Sequence, residues 1–390
     1  MILKRKITWF LVFISFGLMI GSCVEEFEFG TQNFEDILVI ESTITNEDKA
    51  QEVFLSRTFR LESNEPVPEQ NATVTVTDDQ QTSYTFVEES PGRYVSSSTF
   101  AAIAGRNYQL QVTTADGRSY ASRSATLPQT SQIDNLFAER VVTDQGVEGI
   151  GILVDSFDPT GNANFYRYEF EETYQIIPPF WSEIELGIIS SNPPEAELVA
   201  RSREERVCYR TQFSNNIILT TTSTLAENRV SGFRVHFIEP DNTVLRNRYS
   251  ILVRQFVQSA EANQFFNTLK EFSDSESLFS QVQPGFVSGN ILSVNDPDEN
   301  VLGFFDVASV SSARIFVELK DFFPDAFRPD FPIECISNTE TDLGEVIRRV
   351  EGGFRVFAFD PDSGEYFLTT QICTDCNVLG TNVRPDFWVD

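Results

Sequence analysis

The chain has 390 residues, 58 acidic side chains against 29 basic ones, and a formal net charge of −29. A surface so acidic repels an extended phosphate backbone, so nucleic acid is excluded as a partner. With 41% hydrophobic and 13% aromatic residues the chain is equipped to build packed cores, and its length suffices for two or three domains.

The N-terminus reads MILKRKITWFLVFISFGLMIGSC. Lys4, Arg5 and Lys6 precede an uncharged run, Ile7 to Ile20, that falls short of the roughly 20 apolar residues needed to span a bilayer. A basic start, a short apolar stretch and small residues before a cleavage point describe a signal peptide over residues 1–22. Ile20-Gly21-Ser22-Cys23 resembles a bacterial lipobox, which implies cleavage before Cys23 and acylation of that cysteine. More than one acyl chain makes such an anchor durable. Glu25 and Glu26 resemble the acidic signal that sends Bacteroidota lipoproteins to the outer face of the outer membrane; the alternative is an acidic tether facing the periplasm. Residues 23–35 are then a lipid-anchored tether.

From residue 36 to 128 every signal is β. ATVTVTDD alternates Ala72, Val74 and Val76 with threonines, and NYQLQV places Tyr108, Leu110 and Val112 on one face. Asp116-Gly117 is a hairpin turn signal. Several short strands at this spacing predict an immunoglobulin-like β-sandwich without an internal cysteine pair. TLPQTSQID reads as a linker.

Residues 133–390 read as a larger β-rich domain. Phe233, Val235 and Phe237 alternate before a turn at Pro240-Asp241-Asn242, and Tyr249, Ile251 and Val253 alternate after it. One amphipathic helix interrupts the strands near 259–272. Ala262, Phe265, Phe266, Leu269 and Phe272 recur at three- and four-residue intervals behind Ser259 as N-cap. The fold class is therefore mainly β.

Beyond Cys23 the cysteines are Cys208, Cys335, Cys373 and Cys376. An even set in an oxidising compartment predicts two disulfides with three possible pairings. Cys373-Thr-Asp-Cys376 lacks the following helix that a redox pair uses to lower a thiol pKa, and no second close pair completes a zinc site.

Catalytic signals are sparse. His236 is the single histidine, and the alternation puts it opposite Phe233, Val235 and Phe237. No G-x-S-x-G, H-E-x-x-H or phosphate-binding loop occurs, and nothing calls for a cofactor. Carboxylate pairs for glycoside chemistry are meaningless without geometry when acids are this abundant. Asp296 and Asp298 in NDPDEN, and Asp360 and Asp362 in DPDSGE, are weak calcium candidates whose prolines favour plain turns. Phe180 and Trp181 in a loop-rich stretch, and Phe327 in DFFPDAFRPDFP, are candidate binding aromatics.

The order of segments resembles the Bacteroidota lipoprotein family known as domain of unknown function 4249. The stretches that carry the likeness are the lipobox, ILVIESTITNE, VTVTDDQQTSYTFVEESPGRYVS, AGRNYQLQVTTADGRSYAS, NRYSILVRQFVQSAEANQFFNTLKEF, PGFVSGNILSVNDPDENVLGFFDVASVSSARIFV and CTDCNVLGTNVRPDFW. The resemblance implies a neighbouring TonB-dependent outer-membrane transporter and supplies no catalytic residue. Three functions are expected in order: a non-enzymatic accessory of such a transporter, a surface hydrolase using a carboxylate pair, and a structural or adhesive envelope protein.

Overall fold

The computed structural model describes residues 36–58, 66–274, 287 and 289–389. The leader, Cys23, Glu25, Glu26 and the rest of the tether lie outside the described residues. The architecture is mainly β.

Nine strands come first: β1 (Leu38–Thr45), β2 (Glu52–Arg57), β3 (Val67–Pro68), β4 (Thr73–Asp78), β5 (Ser83–Ser90), β6 (Arg93–Ser96), β7 (Asn107–Thr113), β8 (Ser119–Ser122) and β9 (Ala125–Thr126). Nine more follow: β10 (Asn135–Val142), β11 (Glu148–Phe157), β12 (Phe165–Ile176), β13 (Ile184–Ser191), β14 (Pro194–Ala200), β15 (Cys208–Phe213), β16 (Ile218–Thr221), β17 (Arg229–Ile238) and β18 (Tyr249–Gln258). Helix α1 (Ala260–Asp274) precedes β19 (Ile291–Ser293) and β20 (Val301–Val317). The chain ends through α2 (Leu319–Phe322), β21 (Asn338–Glu340), α3 (Leu343–Glu351), β22 (Phe354–Asp360) and β23 (Glu365–Thr370).

The alternation read from the sequence is the alternation of burial. β4 turns Val74 and Val76 inward, and β7 turns Tyr108, Leu110 and Val112 to the same core. Gly117, at φ 90°, makes the β7–β8 turn, a backbone region that favours glycine. Two later strands complete this N-terminal core. β19 pairs with β8, β20 runs parallel to β1, and Ile291, Val301, Phe305 and Val307 are buried beside Ile40, Tyr94 and Leu110.

A second core lies between the large sheet and the three-stranded sheet β10-β11-β17. β12 and β18 supply Tyr166, Tyr168, Ile251 and Val253, and β11 and β17 supply Ile150, Ile152 and Val230. The 17-residue β20 serves both cores. Its first half pairs with β1 from Leu38↔Val301 to Thr45↔Ala308, and its second half pairs with β18 from Val257↔Ser309 to Tyr249↔Val317. Its residues are buried nearly continuously from Val301 to Ser311, and there it reads as an apolar and small-residue run rather than an alternating one.

Helix α1 forms where the apolar spacing predicts it. The Ser259 hydroxyl accepts the Ala262 N–H at 3.0 Å, and Ala262 and Phe265 pack on Phe304 of β20. The structure adds a second amphipathic helix, α3, where the sequence reading has only one. Asp342 caps it by accepting the Glu345 N–H at 2.8 Å, and Val346 and Ile347 are buried. At nine residues its apolar stripe is too short to stand out between charged neighbours. The stretch read as loop-rich holds the β13–β14 hairpin, because Pro178 and Pro179 precede β13, Pro193 sits in the turn and Pro194 is only the first residue of β14. His236 is also displaced from its expected face. A register shift between the pairs Ile152↔His236 and Leu153↔Arg234 marks a bulge in β17. The imidazole turns inward, stacking 4.3 Å from Phe170 with Nε2 3.5 Å from a Glu172 carboxylate oxygen.

Candidate functional site

Alternation along four neighbouring strands leaves one face of the sheet uncovered by the second core. Arg167 and Glu169 of β12, Arg254 and Phe256 of β18, Leu302 and Phe304 of β20, and Val39 and Glu41 of β1 line this face. Helix α1 lies along one side with Phe265, Phe266 and Leu269, and Phe54 of β2 stands on the other. Between them is a cleft of about 680 Å³, within the range of small-molecule sites. A smaller adjoining cavity of about 200 Å³ shares Arg167, Glu169 and Phe266 and ends at Phe213, whose side chain is 72% exposed.

The floor is aromatic and the polar groups are few and fixed. The Arg167 guanidinium sits between two rings, 4.4 Å from the centre of Phe256 and 4.9 Å from that of Phe266, and pairs with Glu169. This arrangement fastens helix to sheet through cation–π contact. Arg254 pairs with Glu47 and lies 5.1 Å from the Phe256 ring centre. Desolvation pushes the Glu47 carboxyl upward, but Lys49 at 3.0 Å and Arg254 outweigh it and hold the group below its ordinary value. Glu41 is open to water yet flanked by the cleft walls, and partial desolvation pushes its carboxyl up. On the same face of β20 as Leu302 and Phe304, Asp306 is fully buried and accepts the Gln258 amide N–H at 2.7 Å.

An apolar floor can take a ligand's body, while oriented arginines and glutamates contact its polar groups. His236 lies in the other core and is not part of the cleft. Among the described residues no three His, Cys, Asp or Glu side chains converge as a metal site requires.

The residues singled out in the sequence are scattered. Phe180 stacks on Phe357 of β22 at 4.7 Å, and Trp181 lies under Arg206 at 5.0 Å; both are half-buried. Phe327 is 96% exposed at a loop tip. Cys208 bonds Cys376 and Cys335 bonds Cys373, so the two cysteines of the C-x-x-C belong to different bridges. Asp360 accepts the Asp362 N–H at 3.0 Å and the Ser363 hydroxyl at 2.7 Å, which hold its carboxyl below the usual range. Asp296 likewise accepts the Asp298 N–H at 3.0 Å. These carboxylates close their own turns. None of these residues lines the cleft. Its local trace was faint: the lone cations Arg167 in FYRYEF and Arg254 in ILVRQFV, placed on the faces opposite the core residues.

Comparison with known proteins gives one broad match. The family described as Domain of unknown function (DUF4249) matches residues 24–314. No curated protein matches the chain. Among solved structures, a DUF4785 family protein from Legionella pneumophila is similar at 9% identity and a TM-score of 0.15. That match covers 55% of this chain and 50% of the other, so it spans about half of that protein's length.

Proposed function

The chain belongs to the family of Domain of unknown function (DUF4249), and we propose that it is a lipid-anchored outer-membrane protein of the Bacteroidota that serves a TonB-dependent transporter. Cys23 is its acylated anchor, and Glu25 and Glu26 direct it to the cell surface. Its role there is non-enzymatic: it captures the transporter's ligand or gates its entry. The observation that carries this reading is the cleft under helix α1, an aromatic floor with fixed charges.

Purifying the acylated protein from outer membranes in mild detergent tests the reading directly. A TonB-dependent barrel is expected at near-equal amount, and its loss is expected when Arg254→Ala and Phe256→Ala open the cleft if the ligand bridges the two chains. Recovery of the lipoprotein alone would sink the accessory role.

One observation favours a second reading. Glu41 is a carboxyl with a raised pKa in the same cleft as Glu169 and Glu52, which is what a general acid in a surface hydrolase needs. Turnover of glycan or peptide substrates that disappears in Glu41→Gln would establish it, and equal turnover in that variant would remove it.

A further inference from the structure

A second cavity, of about 390 Å³, lies away from the cleft, where β18 begins and β20 ends. Its lining contradicts the composition of the chain. Acids outnumber bases two to one overall, with 58 against 29, yet Arg246, Arg248, Lys320 and Arg328 line this cavity with Glu318 as the carboxylate among them, and Asp330 acts on Arg246 from nearby. The four cations come from the β17–β18 connection, helix α2 and the loop after it, so they approach from different sides.

Their positions are held by the protein itself. Arg328 donates through Nε to the Arg246 carbonyl at 3.0 Å and through a terminal nitrogen to Asn247. Arg246 donates to the Pro329 carbonyl and lies 5.8 Å from the Phe331 ring centre. Arg248 pairs with Glu318 at 2.7 Å and is backed by Phe316 at 4.9 Å. Lys320 donates to the carbonyls of Pro324 and Ala326 at 2.9 and 2.6 Å. The Nε donors of Arg246 and Arg248 are buried and find no acceptor among the described residues. Desolvation and the like charge of Arg328 depress the Arg246 pKa against the opposing pull of Asp330.

We propose that this pocket binds a phosphate group, presented by a soluble phosphate ester or by a phospholipid headgroup. Several terminal oxygens match cations arriving from several elements, whereas a carboxylate offers two in one plane. The net charge of the chain opposes a long polyanion, but at physiological ionic strength its reach falls off over about 8 Å, so a single phosphate responds mainly to the local cations.

The test is calorimetric titration of the acylated full chain in non-ionic detergent with inorganic phosphate, dihexanoyl phosphatidylglycerol and acetate. Saturable binding of a phosphate probe is expected, weaker by about tenfold or more in Arg248→Gln and, separately, in Arg328→Gln. Arg254→Gln, in the other cleft, leaves it unchanged. Saturation by the lipid alone assigns the source to headgroups, and saturation by inorganic phosphate assigns it to soluble phosphates. No saturation by either, equal affinity in both pocket variants, or tighter binding of acetate overturns the proposal.

Discussion

Asp306 shows how one buried residue couples to pH. Burial pushes its carboxyl above the ordinary aspartate value of 3.8, and the Gln258 amide and Arg167 guanidinium pull only part of the way back. A folded-state pKa above that of the unfolded chain contributes stability that is complete below the unfolded value. That contribution is lost as pH rises through the folded value. Asp306→Asn keeps an acceptor for Gln258 and removes the ionisation. Its unfolding free energy should fall less than that of the unaltered chain as pH rises above the ordinary aspartate value of 3.8. Parallel profiles in urea titrations would show that Asp306 does not carry this dependence. Gly303 is a second residue whose role is steric. At φ 133° it brings β20 so close to β1 that an added Cβ would stand 1.9 Å from the Ile40 carbonyl oxygen. Gly303→Ala should therefore lower stability by about 1–3 kcal/mol, read from the urea midpoint.

At the scale of elements, helix α1 and the disulfides hold what the strands alone do not. Ser259→Ala removes the cap on the Ala262 N–H and should cost about 0.5–2 kcal/mol. Faster amide exchange confined to the first turn of α1 would confirm it, and unchanged exchange would contradict it. The Cys208–Cys376 bridge joins the first residue of β15 to the C-terminal segment across a separation of 168 residues. Replacing both cysteines by alanine should cost about 2–5 kcal/mol in urea unfolding, and an unmoved midpoint would assign the bridge no structural weight. The helix was legible in the sequence because its apolar spacing and its cap are local. The bridges were legible only as a count, since Cys208, Cys335, Cys373 and Cys376 allow three pairings and their proximity is a product of folding.

On the scale of the whole molecule, β20 joins the two cores. Val301, Phe305 and Val307 close the N-terminal core, while Ala313, Ile315 and Val317 pack against the other. A fragment of residues 36–128 lacks β19 and β20 and leaves β1 without its parallel partner. Such a fragment should show no cooperative thermal transition and no fixed near-ultraviolet signal from Tyr94, Tyr108 and Tyr120. A cooperative melt would show that the nine N-terminal strands suffice. The cleft belongs to this scale too, since its floor is assembled from β1, β12, β18 and β20, drawn from opposite ends of the chain.

The amino-acid sequence alone determined the β character, the inward residues of β4, β7 and β18, the turn at Gly117 and helix α1. Each rests on a period or a cap that a few neighbouring residues carry. Only the tertiary structure decided the inward turn of His236, the cysteine pairing, the sharing of β20 and the cavities. A bulge changes which face a residue takes, and strand partners far apart in the chain are selected by packing rather than by any local pattern. Arg246, Arg248, Lys320 and Arg328 are four ordinary cations until folding sets them around one space.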